Sequence, residues 1–235
     1  KSYLDLLRSA KRAKECSNFY DLKISNIKID LKNLNKRINL IDLRLQCSMA
    51  EADFNSAYDL MKSKIKLIKE GLAKVKYSKD DEEDLYNNLI RSMYASGSAL
   101  KTTEIGLNEY AEAERLIKDA RELNKSYFYN RDLWTYLYLN QNFIEDDLRE
   151  SKFYKAETSI NEAILLINKL NSENYRYHKF GDWKEEKETY LRDYLTMYAQ
   201  IFFLTGRFKE SIDIYEKVVT TYKKRFKKDF GTSDI

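Results

Sequence analysis

No proline occurs in the 235 residues, and there are only six glycines, one histidine and two cysteines. Without proline, and with so little glycine, the chain lacks the tight-turn chemistry of β-sandwiches and barrels. The same scarcity excludes collagen-like sequences and proline-rich linkers. Long apolar runs are missing too. The longest, such as 163–167 and 201–204, fall far short of the about 20 residues that a membrane-crossing helix needs. Neither sign of charge dominates: 42 basic residues stand against 38 acidic ones, a net of +4 spread along the chain. A nucleic-acid binder concentrates a basic excess, so nucleic acid is not an expected partner. The one dense basic run is Lys223, Lys224, Arg225, Lys227 and Lys228. It closes the last predicted helix, where cations complement exposed carbonyls.

The two cysteines, Cys16 and Cys47, cannot make a disulfide framework, and neither sits in a C-x-x-C motif. A single bridge between them is geometrically possible, but buried free thiols are the expected state. The chain opens on Lys1 rather than methionine and reads as a fragment or processed form, compatible with a cytoplasmic or a bacterial extracytoplasmic location.

What is present is a large apolar payload. Forty-three per cent of residues are hydrophobic, with 19 tyrosines and 11 phenylalanines, which excludes wholesale disorder. The length suits one domain, or two at most. Periodicity and caps give an all-α chain of about ten helices, near 2–16, 19–34, 36–50, 53–76, 80–104, 107–124, 130–150, 153–170, 184–204 and 208–225. Ser78 followed by Asp80, Asp81, Glu82, Glu83 and Asp84 is the clearest helix start: a hydroxyl cap with carboxylates in the first turn. Asp182 with Glu185 makes a second, weaker cap. The segment 171–183 is the most loop-like.

The last two helices show how the pattern works. Leu191, Leu195, Tyr198 and Phe202 recur at helical spacing, and Phe208, Ser211, Ile212, Tyr215, Val218 and Val219 do the same. A short link through Gly206 makes them an antiparallel hairpin. Within this hairpin, Leu195, Tyr198, Ala199, Phe202, Gly206, Phe208, Ser211, Tyr215 and Val218 resemble a tetratricopeptide repeat. Its second-helix half recurs as Phe153, Ala156, Ile160, Ala163 and as Tyr110, Ala113, Ile117, Ala120. Fainter copies are Phe54, Ala57, Met61 and Phe19, Leu22. Small residues suit close helix approaches, and the aromatics are expected to fill gaps between neighbouring hairpins. The family's tryptophan and closing proline are absent, and most intervals exceed its period of about 34 residues, so the repeats are divergent.

The resemblance implies antiparallel hairpins stacked as a right-handed solenoid, with the first helix of each pair lining a concave groove. Groove candidates for docking a partner's helix or extended segment are then Tyr136, Asn140, Thr196, Gln200 and Phe203. Family members that bind chaperone tails clamp a terminal carboxylate with Lys, Asn and Arg. Here Asp193, Thr196, Met197 and Gln200 stand at those places, so that ligand is not expected. Residues 79–225 carry the repeats, 226–235 form a flexible tail, and 1–78 form either hairpins or a long helix. The last alternative rests on Tyr20, Ile24, Ile27, Leu31, Leu34, Ile38, Ile41 and Leu45, a heptad seam that could also dimerise through Ile27, Leu31, Leu34 and Ile38. Asn33 and Asn35 could instead break it into two helices.

Chemistry is sparse. His178 is the lone histidine, in the loop-like segment, and no phosphate-cradling, zinc-protease or nucleophile-elbow motif occurs. Carboxylate runs such as Glu145, Asp146 and Asp147 point in different directions on a helix. No catalytic residue, metal, cofactor or small-molecule substrate is expected. Aromatic clusters at Tyr127, Phe128, Tyr129, at Trp134, Tyr136, Tyr138, Phe143, and at Tyr175, Tyr177, Phe180, Trp183 suit either a core or a recognition surface. The expected function is a non-catalytic protein-interaction scaffold. The alternatives are a structural protein self-associating through the heptad seam and, further off, a peptide-sensing regulator whose DNA-binding part lies elsewhere.

Overall fold

The computed structural model describes residues 13–26, 30–31, 34–51, 53–102, 107–172 and 182–230. They form nine helices, with no strand among the described residues: α1 (Ala13–Asn26), α2 (Leu34–Glu51), α3 (Phe54–Lys74), α4 (Lys79–Thr102), α5 (Leu107–Phe128), α6 (Leu133–Arg149), α7 (Phe153–Ile167), α8 (Trp183–Leu204) and α9 (Phe208–Phe230). The protein is all-α. Most of the helix expected over 2–16 lies outside the described residues, as do 173–181 with His178, Tyr175, Tyr177 and Phe180. Helix α9 runs past the end expected near 225, so 226–230 are helical rather than tail.

Two compact units divide between Leu123 and Asn124, within α5. The boundary expected near residue 78 is therefore corrected. The link over 75–78 joins α3 and α4, which pack against each other and share one unit. At that link the Asp81 amide donates to Ser78 Oγ at 3.2 Å, the cap that the sequence announces.

In the first unit α1 and α2 pack side by side, and the heptad seam is broken between them: α1 ends at Asn26 and α2 begins at Leu34. Leu34 and Ile38 are 2% and 1% exposed, committed to the chain's own core. Leu31 is half-buried, and its carbonyl accepts the Tyr77 hydroxyl. The dimer expected through Ile27, Leu31, Leu34 and Ile38 is thus corrected, with Ile27 itself outside the described residues. The expectation of free thiols is corrected as well: Cys16 and Cys47 form a disulfide between α1 and α2, with their Cα atoms 5.8 Å apart. Beside it the buried Arg44 guanidinium donates to Asp21 at 2.9 Å, Ser17 at 2.7 Å and Ser48 at 2.6 Å. A buried cation needs such a set of acceptors. Lys64 of α3, also buried, is held by both Asp42 oxygens at 2.7 and 2.9 Å.

Small residues mark the close crossings. A Cβ built on Gly97 of α4 would lie 2.6 Å from Ile117 Cγ1 and 2.8 Å from the Ala113 carbonyl oxygen of α5. The carbonyl is backbone and cannot swing aside. Gly97→Ala is therefore expected to destabilise by about 1–2 kcal/mol in urea melts, although alanine gains about 1 kcal/mol in helix propensity. An alanine variant as stable as the parent would refute that crossing.

In the second unit α6 packs on α7, α7 on α8 and α8 on α9. Asp132 caps α6, accepting from the Trp134 and Thr135 amides, each at 3.1 Å. Ala156, Ile160 and Ala163 of α7 are buried to 1% exposure or less. Across both units the small residue of each repeat copy is buried: Ala57, Ala113, Ala156 and Ser211. In three of these four copies the aromatic three positions earlier is not a gap filler, Phe153 being the half-buried exception. Phe54, Tyr110 and Phe208 are about half-exposed, because they sit in the first turn, before the crossing begins.

Candidate protein-interaction surface

Helix α8 starts where Asp182 accepts the Lys184 amide at 3.0 Å. Its buried row is Tyr190, Tyr194, Met197 and Ile201, with spacings of four, three and four. Of the expected row only Phe202 is buried, since Leu191, Leu195 and Tyr198 are half-buried. Tyrosine occupies the deepest places because its hydroxyl finds a partner: Tyr194 donates to the Leu137 carbonyl at 2.8 Å. Burial pushes the Tyr194 phenol well above its usual pKa, with a hydrogen bond to Asn140 pulling the other way. The Tyr190 ring meets Trp134 at 5.6 Å between centroids.

Two of the five groove candidates belong to this buried layer and are corrected. Tyr136 is 5% exposed, stacks edge-on with Tyr129 at 5.1 Å, and its backbone carbonyl accepts from Asn124 at 3.1 Å. Asn140 is 8% exposed and lies against Tyr194, whose pKa it lowers. Neither can meet a partner. The other three, Thr196, Gln200 and Phe203, are exposed and recur at four and three along α8, so they share one face. Phe203 is 58% exposed, a large apolar side chain in water.

That face adjoins α9. The two helices touch where Ser211 Oγ donates to the Ala199 carbonyl at 2.8 Å, both residues being buried. Phe203 meets Phe208 edge to face at 5.6 Å. Ser211, Ile214 and Val218 point α9 at its neighbour, whereas Phe208, Ile212, Tyr215 and Val219 form a second, exposed row. At the turn, Arg207 lies 3.8 Å over the Phe202 ring and pairs with Glu157 at 3.1 Å and Glu210 at 3.4 Å. The hydrogen bond that Arg207 donates to Glu157, ahead of the one it donates to Glu210, raises its pKa further above the ordinary arginine value. The turn is stapled to α7.

Sequence reasoning placed Ile212, Tyr215 and Val219 with the packing stripe and missed that they are free. The signal was present: α9 carries two apolar rows, and one neighbour covers one row. Most of the described aromatic clusters went to the core, with Trp134, Phe128 and Phe143 at 2% exposure or less. No cluster of three or more His, Cys, Asp or Glu side chains able to hold a metal occurs among the described residues.

No protein-family model matches the chain, and no curated protein is similar to it in sequence. Among solved structures the all-helical fold is similar to that of BtubC (BKLC) from P. vanneervenii, itself a helical protein. The TM-score is 0.50 at 10% identity, covering 100% of this chain and 96% of that one. At such identity the likeness is one of fold alone.

Proposed function

We propose that the protein is a non-catalytic interaction module of tetratricopeptide-like hairpins that docks another protein on the face of α8 and α9. The observation that carries this reading is the row Thr196, Gln200 and Phe203, continuous through the Phe203–Phe208 contact with the exposed apolar row of α9. A polar edge beside apolar side chains is the composition of recognition surfaces. The buried hydrogen bonds of Tyr194 and Ser211 hold both helices rigid, so docking costs little ordering of the scaffold.

A photo-crosslinker placed at Gln200 tests the reading against one at Tyr154, which is 86% exposed on α7. In an extract of the source cells the Gln200 probe is expected to give a discrete protein adduct that the Tyr154 probe does not. Gln200→Arg is expected to change stability by less than about 0.5 kcal/mol while removing that adduct from a probe at Phe203. Equal adducts from both probes, or an unaffected adduct in the arginine variant, would sink the reading.

A further inference from the structure

We propose that the partner of this face is a second copy of the chain, its α9 lying antiparallel against α9. The pairing rests on the docking reading above and names its occupant. The exposed row Phe208, Ile212, Tyr215 and Val219 is spaced four, three, four, a heptad seam about a quarter turn away from the row that packs on α8. These four side chains are 56%, 57%, 41% and 47% exposed. With Phe203 they present apolar surface on the order of 500 Å², the upper range for a monomer. Two such faces bury on the order of 1,000 Å², the threshold of a specific interface before the flanking residues are added.

The flanking charges choose both the occupant and its direction. Lys209 and Glu216 lie on the flank of the row that faces away from α8, and both are exposed. In an antiparallel pair centred on the row, Ile212 faces the partner's Tyr215 and Phe208 faces the partner's Val219. Like flanks then meet, and Lys209 comes within a helical turn of the partner's Glu216, twice by symmetry. A parallel pair would instead set the basic C-terminal run of α9 beside its twin. The helix is self-complementary only when reversed.

Sedimentation equilibrium on the purified full chain, at several protein concentrations, tests this. The 28.0 kDa chain is expected to sediment with twice its mass. Ile212→Glu is expected to weaken the dimer at least about a hundredfold while the far-UV circular dichroism of the folded chain stays unchanged, since the position is open to water within the chain. Lys209→Glu alone, and Glu216→Lys alone, are each expected to weaken it about tenfold by setting like charges together. The double exchange Lys209→Glu with Glu216→Lys is expected to restore it. A monomeric parent overturns the proposal, as does a dimer indifferent to Ile212→Glu or a double exchange that restores nothing. A monomeric parent whose Gln200 probe still captures a different protein overturns only the self-pairing. A parent that neither dimerises nor gives an adduct overturns the docking reading as well.

Discussion

Ala156→Glu is expected to unfold the unit spanning Asn124–Ile235, costing more than about 4 kcal/mol. Ala156 is 0% exposed on α7, a helix with neighbours on two sides, α6 and α8. A glutamate there must push those helices apart or bury a carboxylate without a partner, and either term alone exceeds 1 kcal/mol. The adjacent residue shows that charge itself is no obstacle. Glu157, one position on, turns outward and pairs with Arg207. Thr158→Glu, at an exposed site on the same helix, is the control and is expected to move stability by less than about 0.5 kcal/mol. Urea melts followed by far-UV circular dichroism compare the two. Should Ala156→Glu melt with the parent, the close crossing at α7 does not exist.

Ala156 was readable because deletion of bulk leaves a trace in the sequence: a small residue inside an apolar row has no other reason to recur. Helix ends were readable for similar reasons, with α7 starting at Phe153 and α9 at Phe208 where the pattern begins. The buried face of α8 was readable only at Phe202 and Ala199. Tyr190, Leu191, Tyr194, Leu195, Tyr198 and Phe202 cover so wide an arc that two rows one residue apart fit the same period, and hydropathy favours leucine over tyrosine. What decides is a hydrogen bond, Tyr194 to the Leu137 carbonyl, between residues far apart in sequence. The error carried into the site. Once tyrosine is the buried residue, Asn140 and Tyr136 belong to the same buried layer rather than to an open groove. Thr196, Gln200 and Phe203 are exposed all the same, because outward positions tolerate a one-residue error in the row behind them.

Breaking the Cys16–Cys47 bridge is expected to cost roughly 3–4 kcal/mol, the loop entropy of a closure over 31 residues. The bridge itself follows from the break in the seam. If 20–45 were one helix, the two cysteines would stand far apart along it. With the chain reversing near Leu31, they are nearly equidistant from the turn, and an antiparallel pair brings them face to face. Arg44 reaches across to Ser17 and Asp21 by the same symmetry. Helix α1 has 14 residues, near the length below which an isolated helix is marginal in water. Its described packing is against α2, through the bridge, the Arg44 contacts and Tyr20. Reduction is therefore expected to loosen α1 first. Amide exchange should accelerate over Ala13–Asn26 well before α6 and α7 respond, and the melting temperature should fall. Cys16→Ala with Cys47→Ala should reproduce both effects and make the protein indifferent to reductant. Equal exchange in α1 before and after reduction, with two thiols titrated, would mean that packing alone holds the first hairpin and that the bridge adds nothing to it.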